Sequence, residues 1–119
     1  MLAKKNEKNE KNVKRGEVYW VNLDPTIGTE TKKVRPAVII SNDAQNKVGH
    51  GYIVAPITSV VKNVYPFEVK IDINGNISKA MLDQIRTIDH QRLGARLSKV
   101  SAEELNHIER AIKIVLNLA

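Results

Sequence analysis

From Glu17 onward the apolar residues come in short runs broken by turn formers, and only after Ser101 do they settle into helical spacing. That pattern constrains the chain to a mainly β fold with a C-terminal α-helix. Glu17 to Leu23 sets Val18 and Trp20 against Tyr19, Val21 and Leu23, so both faces of this first strand are partly apolar. Ala37-Val38-Ile39-Ile40, entered through Arg35-Pro36 and ended by Ser41-Asn42-Asp43, reads as a well-buried second strand. Tyr52 to Ile57 is a third. Phe67, Val69, Ile71 and Ile73 alternate with Glu68, Lys70 and Asp72 in a half-buried fourth, and alternation puts both Trp20 and Phe67 in the core. Asn74-Gly75-Asn76 is a turn signal, Ala80 to Ile85 a fifth strand, and Asp89 to Leu93 one short helical turn. At the C-terminus Ser101-Ala102-Glu103-Glu104 reads as a capping box, after which Leu105, Ile108, Ile112, Val115 and Leu116 share one helix face. The sum is a small, strongly bent antiparallel sheet or barrel closed by that helix. The pattern leaves strand order open.

A chain of 119 residues supports one core, and 42% hydrophobic with 27% charged residues matches neither a disordered nor a membrane protein. The longest stretch without Lys, Arg, Asp or Glu, Val48 to Val61, is 14 residues, short of the ~20 that a spanning helix needs. The N-terminus carries charges with no apolar run behind them, so a secretory signal is not expected and a cytoplasmic location is. The absence of cysteine removes disulfides, thiolate metal sites and cysteine chemistry. The net charge of +6 is uneven: residues 1 to 14 hold five lysines against two glutamates, half of the excess. This tail repeats Lys-Asn-Glu with a period of three and offers nothing to bury. It reads as a disordered basic tail over 1–14, or as an arm adding phosphate contacts, before a domain over 15–119.

Three places can carry chemistry. The polar loop from Asp24 to Lys33 is longer than a hairpin connection and supplies Thr26, Thr29, Glu30, Thr31, Lys32 and Lys33 before reaching Arg35, which Pro36 holds extended at the lip of a buried strand. From spacing alone the plain reading of Arg35 is a structural partner of a neighbouring carboxylate. Thr58 and Ser59 put two hydroxyls at the end of the third strand, where capping a turn is the plain alternative. Asp83 and Gln84 interrupt an apolar run, with solvent-facing or edge positions as their plain reading. His50, His90 and His107 share no ligand spacing and read as surface residues, so no metal and no cofactor are expected.

Several segments in order resemble the MazF/PemK toxins of bacterial toxin-antitoxin pairs. They are Arg15-Gly16-Glu17-Val18-Tyr19-Trp20, Asp24-Pro25-Thr26 with Gly28 and Glu30, Val34-Arg35-Pro36-Ala37-Val38, Pro56-Ile57-Thr58-Ser59, Tyr65-Pro66-Phe67-Glu68-Val69, Asp83-Gln84-Ile85-Arg86-Thr87-Ile88-Asp89 and Arg92-Leu93. The resemblance implies a homodimer of small SH3-like, PemK/CcdB-type β-barrels that cleaves single-stranded RNA, such as mRNA, at short sequences without metal. It also implies a cognate MazE-like antitoxin that blocks the site. Arg35 and Thr58 then fall on catalytic positions, and Thr29, Glu30, Thr31, Ser59, Asp83 and Gln84 on RNA-binding or supporting ones. Some members carry a catalytic His at the position of Thr29 and an Arg at that of Met81, so a mechanism using those two groups is not available here.

Metal-free RNA cleavage uses the ribose 2′-hydroxyl as nucleophile, which leaves the protein to orient it and to stabilise phosphoryl charge. Arg suits that task through its planar fork and permanent charge, and a Thr hydroxyl can donate to a phosphoryl oxygen. Three roles stay open to Glu30: orienting Arg35, accepting the 2′-hydroxyl proton, or a plain salt bridge. An alternative function is that of a non-enzymatic gyrase-binding toxin of the same fold. The relative that works this way presents a Trp-Gly-Ile terminus, whereas this chain ends Val115-Leu116-Asn117-Leu118-Ala119. A non-catalytic RNA-binding barrel is a third reading, and it leaves Arg35 and Thr58 without a task.

Overall fold

The computed structural model describes residues 12–23 and 34–119. Among the described residues seven strands and two α-helices follow in the order β1 (Glu17–Asn22), β2 (Val34–Ile39), α1 (Asp43–Val48), β3 (Gly51–Thr58), β4 (Glu68–Ile73), β5 (Asn76–Met81), β6 (Arg86–Asp89), β7 (Leu93–Lys99) and α2 (Ala102–Leu116). Single 3-10 turns at Leu82–Gln84 and His90–Arg92 flank β6. The sheet runs β4-β5-β3-β2-β1-β7, every pairing antiparallel, and β6 returns to pair with the first half of β3. The result is a mostly β half-barrel with a C-terminal helix.

Alternation along the central strands divides the interior in two. Val18, Val38, Ala55 and Ile57 point to one face with Val69, Ile71 and Ala80, where α2 covers them with Ile108 and Ala111. Tyr19, Val21, Ala37, Ile39, Tyr52 and Val54 point to the other, closed by Ile88, Leu93 and Val13. The two-sided apolar pattern of β1 is therefore the signature of a strand buried on both faces. Val13 belongs to the tail by sequence, yet it is buried here, and Gly16 N donates to Ile39 O at 2.7 Å. Residues 1–11 of the expected tail lie outside the described residues.

Both ends of the capping box form: Glu104 N donates to Ser101 Oγ and Ser101 N to Glu104 Oε1. The other oxygen of Glu104 accepts from Asp72 N and ties α2 to β4. Leu116, expected on the buried face, is exposed, and Ala111 lies in the core instead. Asn74 and Gly75 both take positive φ, the geometry of a two-residue type I′ hairpin turn between Ile73 and Asn76. The short helical turn expected near Asp89 is the second 3-10 turn.

Several expectations are corrected. The fifth strand spans Asn76–Met81 rather than Ala80 to Ile85, because its burial hides the period of two: Ser78, Lys79 and Ala80 are buried in succession, while Ile77, on the same face as Lys79, is 54% exposed. Asp83 and Gln84 consequently sit on a 3-10 turn, not in a strand. Helix α1 carries no apolar stripe, so hydrophobic periodicity does not reveal it. Its ends are polar, with Asn42 Oδ1 accepting from Gln45 N, and Asn46 is buried against the Ser41 carbonyl and hydroxyl. β7 pairs with β1 through two register shifts, which erase the period of two. At Gly94 a Cβ would lie 3.0 Å from Trp20 O, so a larger residue there would require the β1 backbone to give by a few tenths of an ångström. Trp20 is 40% exposed rather than core, and Phe67 is half-buried beneath a stacked Tyr65 with ring centroids 5.4 Å apart.

Candidate active site

Ala37 pairs with Pro56 and Ile39 with Val54 across β2 and β3. Two residues further along the same register, Arg35 stands level with Thr58. Both side chains fall on the face of the second core, because Arg35 keeps step with Ala37 and Ile39, and Thr58 with Tyr52 and Val54. Beyond Ala37 the core gives out and the same face opens into a cavity of about 390 Å³ lined by Leu23, Arg35, Pro56, Thr58, Met81, Gln84 and Arg86. Among the described residues no side chain or carbonyl engages the Arg35 guanidinium. The Thr58 hydroxyl oxygen accepts from Val60 N at 3.2 Å, which leaves its O–H available as a donor.

Arg86 is the residue that the sequence reading passed over. On β6 it stands opposite Val54 of β3, shares the inward face with Ile88, and donates from Nη1 to Leu23 O at 3.0 Å. The signal was a charged residue at an inward position, two before a buried Ile88, hidden because β6 was not recognised as a strand. Gln84 reaches the cavity, its Nε2 3.6 Å from Met81 Sδ. Asp83 is exposed beside it and does not line the cavity. Ser59 points the opposite way, into a groove formed with Trp20, Pro36, Ile77 and Leu97. Thr29, Glu30 and Thr31 lie outside the described residues. Leu23, the last described residue before them, lines the cavity, as does Arg35, the second described residue after them.

The cavity has two guanidinium groups and no carboxylate among its described lining residues, so it favours an anion. No group of three His, Asp or Glu with metal-holding geometry occurs among the described residues. His90, read as a surface residue, is half-buried and its Nδ1 lies 3.1 Å from the hydroxyl of fully buried Tyr52. Burial pushes the Tyr52 hydroxyl pKa up, so it stays protonated at neutral pH. Removing a partner from a buried polar group costs about 1–3 kcal/mol. His90→Ala should lower unfolding stability by that amount while exposed His107→Ala stays within about 0.5 kcal/mol, with cleavage rates little changed in both. Equal denaturation midpoints for the two variants would show that the Tyr52 contact contributes nothing.

Fold and site together define a class: a small, mainly β protein with a cavity at the open end of a curved sheet, lined by two guanidinium groups and a hydroxyl. The chain matches the PemK-like, MazF-like toxin of type II toxin-antitoxin systems over residues 14–116, and it belongs to that family. It is 40% identical over 115 residues to endoribonuclease MazF9 of Mycobacterium tuberculosis, covering 89% of this chain and 98% of that protein. Endoribonuclease EndoA of Bacillus subtilis is 38% identical over 111 residues, covering 89% and 96%. The crystal structure of MazF from Deinococcus radiodurans matches with a TM-score of 0.73 at 30% identity, covering 89% of this chain and 97% of that one. A MazE-MazF structure from the same organism matches at 0.75 with 27% identity, covering 91% and 99%. The mainly β architecture with its C-terminal helix is that of MazF toxins. No helix among the described residues is long and apolar enough to cross a membrane.

Proposed function

We propose that this chain is a sequence-specific endoribonuclease toxin that cleaves single-stranded RNA without a metal ion, and that Arg35 and Thr58 carry the chemistry. The supporting observation is their adjacency on one cavity, reached from two strands by register alone. Relatives named as endoribonucleases over nearly the full chain support the reaction class. In the proposed reaction the ribose 2′-oxygen attacks the adjacent phosphorus and the bond to the 5′-oxygen breaks. The departing oxygen takes up a proton, giving 2′,3′-cyclic phosphate and 5′-hydroxyl ends. Arg35 offers two parallel donors to the phosphoryl oxygens and Thr58 a third, where charge builds in the transition state. Arg86 adds positive potential from the other side of the cavity.

Glu30 is our candidate for orienting Arg35 or accepting the 2′-hydroxyl proton, with Thr29 and Thr31 holding RNA from the same loop. Gln84 reads a base or sugar edge from the cavity, and Asp83 acts from the exposed side of that turn. Ser59, facing away, is at most supporting. The toxin works in the cytoplasm as a homodimer: the groove of Trp20, Pro36, Ile77 and Leu97 is an apolar surface of the kind that a second copy covers. A MazE-like antitoxin neutralises it. MazE-MazF structures of a related toxin support such a partner, and a cationic cavity suits an acidic, extended segment that orders on binding.

The test is incubation of purified protein with a long RNA, followed by sequencing of the fragment ends. Cleavage at one repeated short sequence, suppressed by the small protein encoded beside this gene, is the expected result. Binding without cleavage would replace the enzyme by an RNA-binding barrel.

A further inference from the structure

β5 carries a buried lysine between Ser78 and Ala80, and a buried ammonium is costly unless paired. Lys79 Nζ donates to Glu68 Oε1 at 2.8 Å and to Asn63 O at 2.5 Å, and it stands 6.0 Å from the centre of the Tyr65 ring. The side chains of Lys79 and Glu68 are only 10% and 8% exposed. The same Glu68 oxygen accepts from Tyr65 N, and Glu68 N donates to Tyr65 O. Burial pulls the Glu68 carboxyl upward, and the hydrogen bonds from Lys79 and Tyr65 N with the lysine's charge outweigh it, leaving the group below its ordinary value and ionised at neutral pH. These contacts all fasten one segment, residues 59–67, to the sheet.

A buried ion pair adds little net stability over apolar side chains of the same volume, so its use lies in what it specifies. Here its location is informative. Lys79 is the direct cross-strand partner of Thr58, and Glu68 that of Met81, which lines the cavity. Opposed residues of an antiparallel pair share a face, so the ion pair lies beside the Arg35 and Thr58 site on the same side of the sheet. The fastened segment begins at Ser59, and its second residue supplies the N–H that holds Thr58 Oγ1.

We infer that Lys79, through its buried pair with Glu68, is a positioning residue: it holds the 59–67 segment so that Val60 N–H fixes the Thr58 hydroxyl with its proton aimed into the cavity. The inference rests on the catalytic reading of Thr58. Misplacing a catalytic group by about 1 Å costs on the order of a hundredfold, so loosening this anchor should slow the chemical step without weakening RNA binding in proportion.

The test is a double-mutant cycle on the full chain, with single-turnover rates at saturating RNA for Thr58→Ala, Lys79→Met and the pair. Lys79→Met should slow the native enzyme by about ten- to a hundredfold with KM within about threefold, yet change the Thr58→Ala enzyme less than about twofold. Should Lys79→Met not fold by circular dichroism, Glu68→Gln takes its place, since it removes the charge while keeping shape and an acceptor. Equal slowing in both backgrounds, a folded variant at the native rate, or a change confined to KM would each overturn the inference. A Thr58→Ala enzyme at native speed would overturn the reading of Thr58 and this inference with it. A slow Thr58→Ala enzyme with an additive Lys79→Met effect would overturn this inference alone.

Discussion

Arg35→Lys should lower the single-turnover cleavage rate by about a hundred to a thousand fold, although the charge is retained. Losing a donor used only in the transition state typically costs about 3–4 kcal/mol. Lysine keeps a point charge and gives up the planar fork that meets two phosphoryl oxygens at once. The substitution should be tolerated structurally, because Arg35 is exposed at the lip of β2 and no described residue depends on its side chain. Thr58→Ala should be slow as well, and Thr58→Ser should recover part of the rate by restoring the hydroxyl. Circular dichroism on each variant separates chemistry from folding. A folded Arg35→Ala enzyme with near-normal turnover would remove Arg35 from the mechanism.

An RNA carrying a single 2′-deoxyribose immediately 5′ of the cut should resist cleavage at that site and remain cleavable elsewhere. The nucleophile in the proposed reaction belongs to the substrate, so its removal abolishes the step rather than slowing it. Excess chelator should leave the rate within about twofold, since stabilisation of the developing charge falls to guanidinium and hydroxyl donors rather than to a cation. Fragments should carry 2′,3′-cyclic phosphate and 5′-hydroxyl ends. Cleavage of the deoxy substrate would exclude internal attack. Loss of activity in chelator, regained with a divalent ion, would return the chemistry to a metal centre.

The two experiments divide the site between protein and substrate. Arg35 and Thr58 are asked to stabilise and orient, and the 2′-hydroxyl to attack. Lys79 and Glu68 stand one step behind, as the means by which the sheet sets the geometry of Thr58. Their effect should appear in the rate constant, whereas loss of Arg86 should show more in RNA affinity through the potential of the cavity.

The elements legible in the sequence are those whose energetics are local. Ser101 and Glu104 lie within one helical turn, Asn74-Gly75 contains its own turn geometry, and the β-branched run through Ile39 is buried wherever it pairs. The same locality explains the failures. α1 is held by Asn46 and Ser41 rather than by an apolar stripe, β7 loses its period to bulges against β1, and β5 leaves Ile77 exposed yet buries Lys79 on the same face because its ammonium finds Glu68 on the neighbouring strand. Arg35 and Thr58 were each visible as candidates. Their adjacency was not, because it depends on the hydrogen-bonded register of β2 with β3, and a slip of one residue would turn one of them to the opposite face. Residue types and alternation, which report local preference and burial, were determined by the sequence alone. Which polar groups stand together was decided only by the tertiary pairing, because register is set by long-range contacts that no window of sequence contains.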